Sequence, residues 1–292
     1  MKKKLEGKTC LITGATNGIG KKTTIALSLL GAEIIFIARN ETKADLLKER
    51  VYSLTGQKPI SIIADLSSQK EIKDAVIQFN NLNRPLDILL NNAGILNLER
   101  KETIDGFEEM FAVNHLAYYS LTLLLLNKLK LSTSSRIVNV SSNSHSLIKQ
   151  INFEDIHFKN SFNGYKAYGL SKLANILFTK ELSLKLSGSN ISVNCLHPGF
   201  VSTGIGSQNS YTLTNFAFLR ALALKLARPF AKNSQQGAST SIFLCSSEEV
   251  NKVSGEYFVD CKIKNVSKTA ENKENSRLMW EISEDLTGIK FY

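Results

Sequence analysis

The sequence predicts an α/β fold of three layers: a doubly wound parallel sheet of about seven strands, flanked by helices on both faces. Three observations predict it. Short β-branched or apolar runs alternate with longer helical stretches, the spacing of repeated strand–helix–strand units. The runs are nearly continuous in apolar character, as strands are when both faces are covered. The chain has 292 residues, 43% of them hydrophobic, enough to bury one large core.

The first strand is TCLIT (9–13), and it runs into TGATNGIG. Gly14, Gly18 and Gly20 there permit tight turning and close backbone approach. The following helix N-terminus offers N–H groups to a pyrophosphate. The spacing is G-x-x-x-G-x-G rather than G-x-G-x-x-G, and glycines that only turn the chain are the plainer reading. An amphipathic stretch (18–30) leads to EIIFIA (33–38), which ends in IARN. A site for NAD places Asp or Glu here to hold the ribose hydroxyls. Arg39 instead pairs with a 2′-phosphate and stacks on adenine, favouring NADP(H) over NAD(H). Lys21 and Lys22 add positive field or are simply solvated. Helix 41–55 precedes ISIIA (60–64) and Asp65. That carboxylate either accepts from an adenine amino group or serves as the turn residue of DLSS.

Helix 69–80 precedes LDILL (86–90) and then NNAG. The Asn91 and Asn92 amides there fix neighbouring strand ends, while Gly94 lets the backbone approach a ribose. A long apolar stretch, 105–131, carries Asn114. After RIVNVS (136–141) come three candidate serines, Ser141, Ser142 and Ser144. Strand alternation turns Ser141 away from Ser142. His145 is read as a loop histidine, and His197 as structural.

Segment 165–187 holds YGLSK. A four-residue gap on a helix stacks Tyr168 and Lys172 on one face. A phenol of pKa near ~10 is a poor proton donor or acceptor at neutral pH. An ammonium beside it is expected to lower that value towards what a general acid/base needs. ISVNCL (191–196), helix 234–246, EYFVD (256–260) and a C-terminal helix near 267–288 complete the pattern. Weakly patterned stretches at 143–163 and 199–214 stand beyond strand carboxyl ends, where open α/β sheets bind ligands. A third, polar stretch lies near 262–277. With no Pro/Ser/Gly linker and no repeat, residues 1–292 read as a single domain.

Four cysteines lie far apart with no C-x-x-C, which suits reduced thiols in an intracellular compartment. With four histidines and no H-x-x-x-H pair, no metal is expected. MKKKLEGKTC has no apolar core, so no secretory signal is expected. The most apolar run, 121–131, is too short and too lysine-rich to span a bilayer. A formal charge of +10 suits an anionic cofactor, an acidic membrane surface or a lysine-rich solvated face. No nucleic-acid motif accompanies it.

Taken in order, TGATNGIG, Asp65, NNAG, Asn114 in VNH, Ser142 in VNVSS, YGLSK and HPGFVST (197–203) resemble the short-chain dehydrogenase/reductase family across most of the chain. SKLANILFTKEL (171–182), SGEYFVDCK (254–262) and MWEISEDLTG (279–288) resemble its retinol dehydrogenase-like branch, which includes carbonyl reductases, steroid-acting enzymes and WW-domain oxidoreductases. The resemblance implies a Rossmann fold and alcohol/carbonyl oxidoreduction. It gives Tyr168 a proton to exchange with the substrate oxygen. Lys172 would lower the tyrosine pKa and hold the nicotinamide ribose, and Ser142 would bind the carbonyl oxygen. Asn114 would anchor a water linking Lys172 to solvent. For the cofactor it implies Gly14, Thr16, Asn17, Gly18, Ile19, Gly20, Arg39, Asn40, Asp65, Leu66, Asn92, Ala93, Gly94, Tyr168, Lys172, Pro198, Gly199, Val201 and Thr203, with Thr203 on the nicotinamide carboxamide.

Branch members often carry an N-terminal membrane anchor, for which the opening residues offer no apolar run. An intracellular protein is expected, cytoplasmic or peripheral to a membrane. In 212–232, Phe216, Leu219, Ala223, Leu226 and Phe230 form one apolar helical face, opposite Lys225, Arg228 and Lys232. The family resemblance makes segment 200–232 a cover for a small lipophilic aldehyde, ketone, retinoid or steroid-like substrate. The same face can touch an anionic membrane or simply pack on the domain. The resemblance also implies a homo-oligomer through the long helices. A catalytically weak NADP sensor or scaffold on the same fold is the alternative reading.

Overall fold

The computed structural model describes residues 3–199 and 233–292. The expectations on Val201, Thr203, the 200–232 cover and the 212–232 helix lie outside the described residues. Eight strands form one sheet in the order β3-β2-β1-β4-β5-β6-β7-β8. They are β1 (Thr9–Thr13), β2 (Glu33–Ala38), β3 (Ile60–Ile63), β4 (Ile88–Asn91), β5 (Ser135–Val140), β6 (Ile191–His197), β7 (Tyr257–Val259) and β8 (Lys262–Ile263). All neighbours are parallel except β7 and β8. The pairing runs Thr9↔Glu33 on one side of β1 and Cys10↔Ile88 on the other. The sheet is therefore the doubly wound one expected, with an eighth strand added. β8 escaped notice because its two residues are exposed and carry no apolar pattern.

The helices are α1 (Gly18–Leu29), α2 (Glu41–Thr55), α3 (Gln69–Asn81), α4 (109–124), α5 (Leu126–Lys130), α6 (Gly164–Lys185), α7 (Ser234–Ser246), α8 (Lys268–Glu271) and α9 (Lys273–Thr287). Capping explains several starts. Asn40 bonds the Lys43 N–H and Ser68 the Glu71 N–H, so each helix opens where a side chain meets an orphan donor. The C-terminal helix expected as one unit is two, because Asn272 turns extended and caps α9 through the Glu274 and Asn275 N–H groups. The long helix expected from residue 105 begins at 109, where Glu108 accepts from the Met110 and Phe111 N–H groups.

One face of the sheet packs Leu11, Ile35, Leu89 and Ile137 beneath α3, α4 and α6. The other packs Ile12, Phe36, Leu90 and Val138 beneath α1, α2 and α7. Alternate residues of the same strands serve opposite cores, which is why the strands read as continuous apolar runs. α9 packs along α6. There Trp280 stacks on Phe178 at 5.8 Å, and the Tyr119 hydroxyl donates to the Ile289 carbonyl. Strand order reverses between β1 and β4, so the crevice at their carboxyl ends is the place where such sheets take ligands.

Candidate active site

The β1–α1 turn is held against the β4 loop by close backbone packing. Gly14 is left-handed at φ +65°, and a Cβ there would stand 2.8 Å from the Ala93 Cα. A Cβ on Gly20 would fall 2.1 Å from the Gly14 carbonyl oxygen, so no larger residue fits. Thr13 Oγ1 accepts from the N–H groups of Asn92 and Ala93 at 2.9 and 3.0 Å. Asn92 Nδ2 returns two bonds, to the carbonyls of Thr13 and Gly14. Asn92 thus ties the two loops together. Asn91 donates to Asn139 Oδ1 and Thr122 Oγ1, joining β4 to β5 and α4.

Asn17 Oδ1 caps the Gly18 N–H. The next N–H groups of α1, on Ile19 and Gly20, have no partner among the described residues. Half-buried Thr16 and exposed Asn17 border them. At the end of β2, Arg39 is more than half exposed and its guanidinium stands 3.8 Å from the Asp65 carboxylate. The other Asp65 oxygen accepts from the Ser67 N–H, the turn geometry of DLSS. Asn40 is spent on capping α2, and Leu66 is buried in the core. The structure therefore brings a glycine turn, donor N–H groups and an arginine to one sheet edge. Those groups suit a dinucleotide carrying phosphates.

Further along the same edge, Ser142 Oγ donates to Ser144 Oγ and accepts from the Ser144 N–H, both at 3.1 Å. It also lies near enough to the Tyr168 hydroxyl to hold the phenol pKa down somewhat. Ser141 points elsewhere, its Oγ donating to the Lys172 carbonyl at 2.7 Å. His145 is structural: its ring lies between the Ser142 carbonyl and the Ser267 N–H. Lys172 is buried, with Nζ donating to the Val140 carbonyl at 3.0 Å. It stands 5.6 Å over the Tyr118 ring and 5.8 Å over the Tyr168 ring. A Cβ on Gly94 would lie 3.3 Å from this Nζ, so the glycine keeps the ammonium reachable from the crevice.

Burial dominates the electrostatics of the pair. It pushes the Tyr168 phenol up to about 12, with Ser142 pulling the other way. Burial also pushes the Lys172 ammonium down to about 7. Burial therefore outweighs every other influence on the two groups and shifts each towards its neutral form. Both groups are desolvated, the ammonium is only partly charged near neutrality, and its hydrogen bond goes to a carbonyl rather than to the phenol.

Asn114 sits in a π turn, Ala112–Leu116, that interrupts α4. Its Oδ1 accepts from the Ile95 N–H, and its amide protons go to the Ile95 carbonyl and Ser171 Oγ. Both side-chain donors are spent on clamping the β4 loop to α6. Pro198 and Gly199 follow β6, with Gly199 left-handed at φ +86°. Thr13, Tyr118, Ser171 and Asn175 are parts of this site that the sequence reading missed. Thr13 directly precedes the glycine turn, and Asn175 lies three residues after Lys172 on the same helix, so spacing alone could have pointed to both.

The family model for short chain dehydrogenase matches residues 8–213. The chain belongs to the short chain dehydrogenase family. Within the family it is retinol dehydrogenase-like. It is 38% identical to mouse (Mus musculus) retinol dehydrogenase 12 over 288 residues, covering 98% of this chain and 88% of that protein. It is 40% identical to human (Homo sapiens) retinol dehydrogenase 14 over 299 residues, again covering 98% and 88%. Among solved structures it resembles an uncharacterized protein from Mycobacterium paratuberculosis, with a TM-score of 0.76, 27% identity, and 99% and 96% of the two chains covered. A short chain dehydrogenase from Shigella flexneri complexed with NADP matches at a TM-score of 0.67 and 22% identity, over 90% and 100%. As a short chain dehydrogenase, the protein is an oxidoreductase of the alcohol/carbonyl class that uses a nicotinamide cofactor.

Proposed function

We propose that this chain interconverts a lipophilic alcohol and its aldehyde or ketone with NADP(H). The observation that carries the reading is the buried Lys172, its Nζ 5.8 Å over the Tyr168 ring beside Ser142, at the edge that also bears the glycine turn. The cofactor, when bound, supplies or removes hydride at the carbonyl carbon. Its pyrophosphate suits the Ile19 and Gly20 N–H groups within the turn Gly14–Gly20, including Thr16, Asn17 and Gly18. Its 2′-phosphate suits Arg39, beside Asn40, Asp65 and Leu66. Asn92, Ala93 and Gly94 leave room for a ribose that Lys172 can reach, and Pro198 and Gly199, with Val201 and Thr203, are assigned to the nicotinamide end.

In reduction, Ser142 and Tyr168 donate to the carbonyl oxygen. With its pKa held up to about 12, Tyr168 is a phenol at neutral pH and has a proton to give. The alkoxide that develops is more basic than a phenolate, so the proton passes from Tyr168 to oxygen. The charged form of Lys172 then stabilises the phenolate left behind. Oxidation runs the same steps backwards. Asn114 fixes the β4 loop and α6, so a proton-path water would rest on its remaining lone pairs. The identity to retinol dehydrogenases and the apolar periodicity of the sequence at 212–232 support a lipophilic substrate and contact with an anionic membrane. We assign 1–292 to one domain.

The test is NADPH oxidation across aldehydes and ketones of rising chain length and ring size. The expected result is kcat/KM that climbs with apolar area and falls at least about tenfold with NADH. Arg39→Asp should remove the NADPH preference. Equal rates with both cofactors, unchanged by Arg39→Asp, would remove the 2′-phosphate role. NADPH binding without turnover on any carbonyl would favour the sensor reading.

A further inference from the structure

Beneath Lys172 a line of buried polar groups runs out to the C-terminal helix. Asn175, three residues on along α6, gives away both amide protons. Its Nδ2 donates to the carbonyls of Asn114 at 2.8 Å and Val140 at 3.2 Å. The Val140 carbonyl is the same one that accepts from Lys172 Nζ. On its other side, Asn175 Oδ1 stands 3.2 Å from His115 Nδ1, and His115 Nε2 stands 2.8 Å from Ser283 Oγ on α9. Asn114, His115, Asn175 and Ser283 are all at 0% exposure.

The protons in this line can be counted. With both amide protons spent, Asn175 Oδ1 can only accept, so His115 Nδ1 carries the hydrogen. Burial holds the imidazole neutral, its pKa pushed down to about 4, with the Lys172 charge acting in the same direction. Nε2 is then a lone pair, and it shares the Ser283 hydroxyl proton with the Met279 carbonyl, at 2.8 and 2.7 Å. Imidazole tautomer, amide orientation and hydroxyl rotor are set as one unit. The rings of Phe111 and Phe178 close the sides at 5.1 and 6.2 Å. Lys172 is the cation whose charge the imidazole feels.

The two carbonyls that Asn175 holds are the ones the site depends on. One belongs to the π turn whose side chain clamps Ile95 and Ser171. The other anchors the ammonium. We propose that His115 and Ser283 are positioning residues that act through Asn175. They hold Lys172 and the Asn114 turn in working geometry, so that the C-terminal helix is part of the proton-transfer apparatus. The inference rests on the reading of Tyr168 and Lys172 as the proton-transfer pair.

The test uses the full chain with NADPH and a medium-chain aldehyde. Ser283→Ala removes one hydroxyl from α9, and Ser283→Thr keeps it. His115→Phe keeps the ring's bulk without its nitrogens. The expected result is a fall in kcat of about fivefold for Ser283→Ala and about thirtyfold for His115→Phe, with KM for the aldehyde within about twofold. Ser283→Thr should return kcat to within about twofold of wild type. If His115→Phe does not fold, the Ser283 pair decides alone. Wild-type kcat in Ser283→Ala, whatever its unfolding midpoint, would overturn the proposal and leave a packing role only. Tyr168→Phe runs in parallel: if it turned over like wild type, the underlying proton-transfer reading would fall as well. A dead Tyr168→Phe beside a fully active Ser283→Ala would overturn the positioning role alone.

Discussion

The two ends of the site are built from opposite materials. At the glycine turn there is almost no side chain: Gly14 and Gly20 touch backbone at distances that exclude a Cβ, and Thr13 and Asn92 only lace two loops together. At Tyr168 and Lys172 the working parts are long side chains, the lysine buried and the tyrosine partly so, and shifted in pKa in opposite directions. The first end is set by steric fit and tolerates no added atom. The second is set by desolvation, so losing a polar group there harms the chemistry more than the fold. Stability and chemistry should therefore separate along this line when the two ends are mutated.

The largest stability effect falls on the turn. Gly20→Ala places a methyl 2.1 Å from the Gly14 oxygen. It should cost about 4 kcal/mol in denaturant unfolding and abolish NADPH binding. A loss below about 1 kcal/mol would show that the turn yields more easily than its packing implies.

At the other end the sign reverses. Lys172 has a folded pKa of about 7, below its ordinary value of 10.5. The unfolded chain therefore binds more protons between those values, and stability rises with pH across that window. Lys172→Met should flatten that rise and add roughly 2 kcal/mol at pH 7 while destroying turnover. Urea unfolding at pH 7 and pH 10 checks both parts.

Asn92→Ala removes two bonds that lace the loops and should cost about 1–2 kcal/mol, with weaker NADPH binding. The smallest effect concerns His115. Its folded pKa of about 4 lies below the ordinary 6.5, so stability should fall as pH drops through that interval. His115→Gln should shallow the fall, as read by thermal unfolding at pH 4.5 and 6.5.

The same contrast explains what the sequence made legible. TCLIT, EIIFIA and the glycine turn announce themselves because apolar runs and missing side chains are local signals. The topology followed from strand–helix spacing. YGLSK gave the Tyr168–Lys172 pair through helical periodicity, but not the burial that governs the pKa of both groups. How deeply the lysine is desolvated, and that it bonds the Val140 carbonyl, depends on β5, some thirty residues away in the chain. The π turn at Asn114 was equally hidden, since VNH looks like ordinary helix and its carbonyl is satisfied by Asn175 from another element. The two-residue strand β8 has no pattern to read. Long-range satisfaction of polar groups is the part of a site that local periodicity does not carry.

In the proposed reaction Tyr168 gives the proton while the rest of the edge only binds and positions. The direct measurement is single-turnover oxidation of pre-bound NADPH by a lipophilic aldehyde, wild type against Tyr168→Phe, with NADPH affinity determined on the same samples. Unchanged affinity and a rate lowered about a thousandfold in the variant are expected. Equal rates in the two proteins, or NADPH bound tightly by both and consumed by neither, would contradict that role for Tyr168.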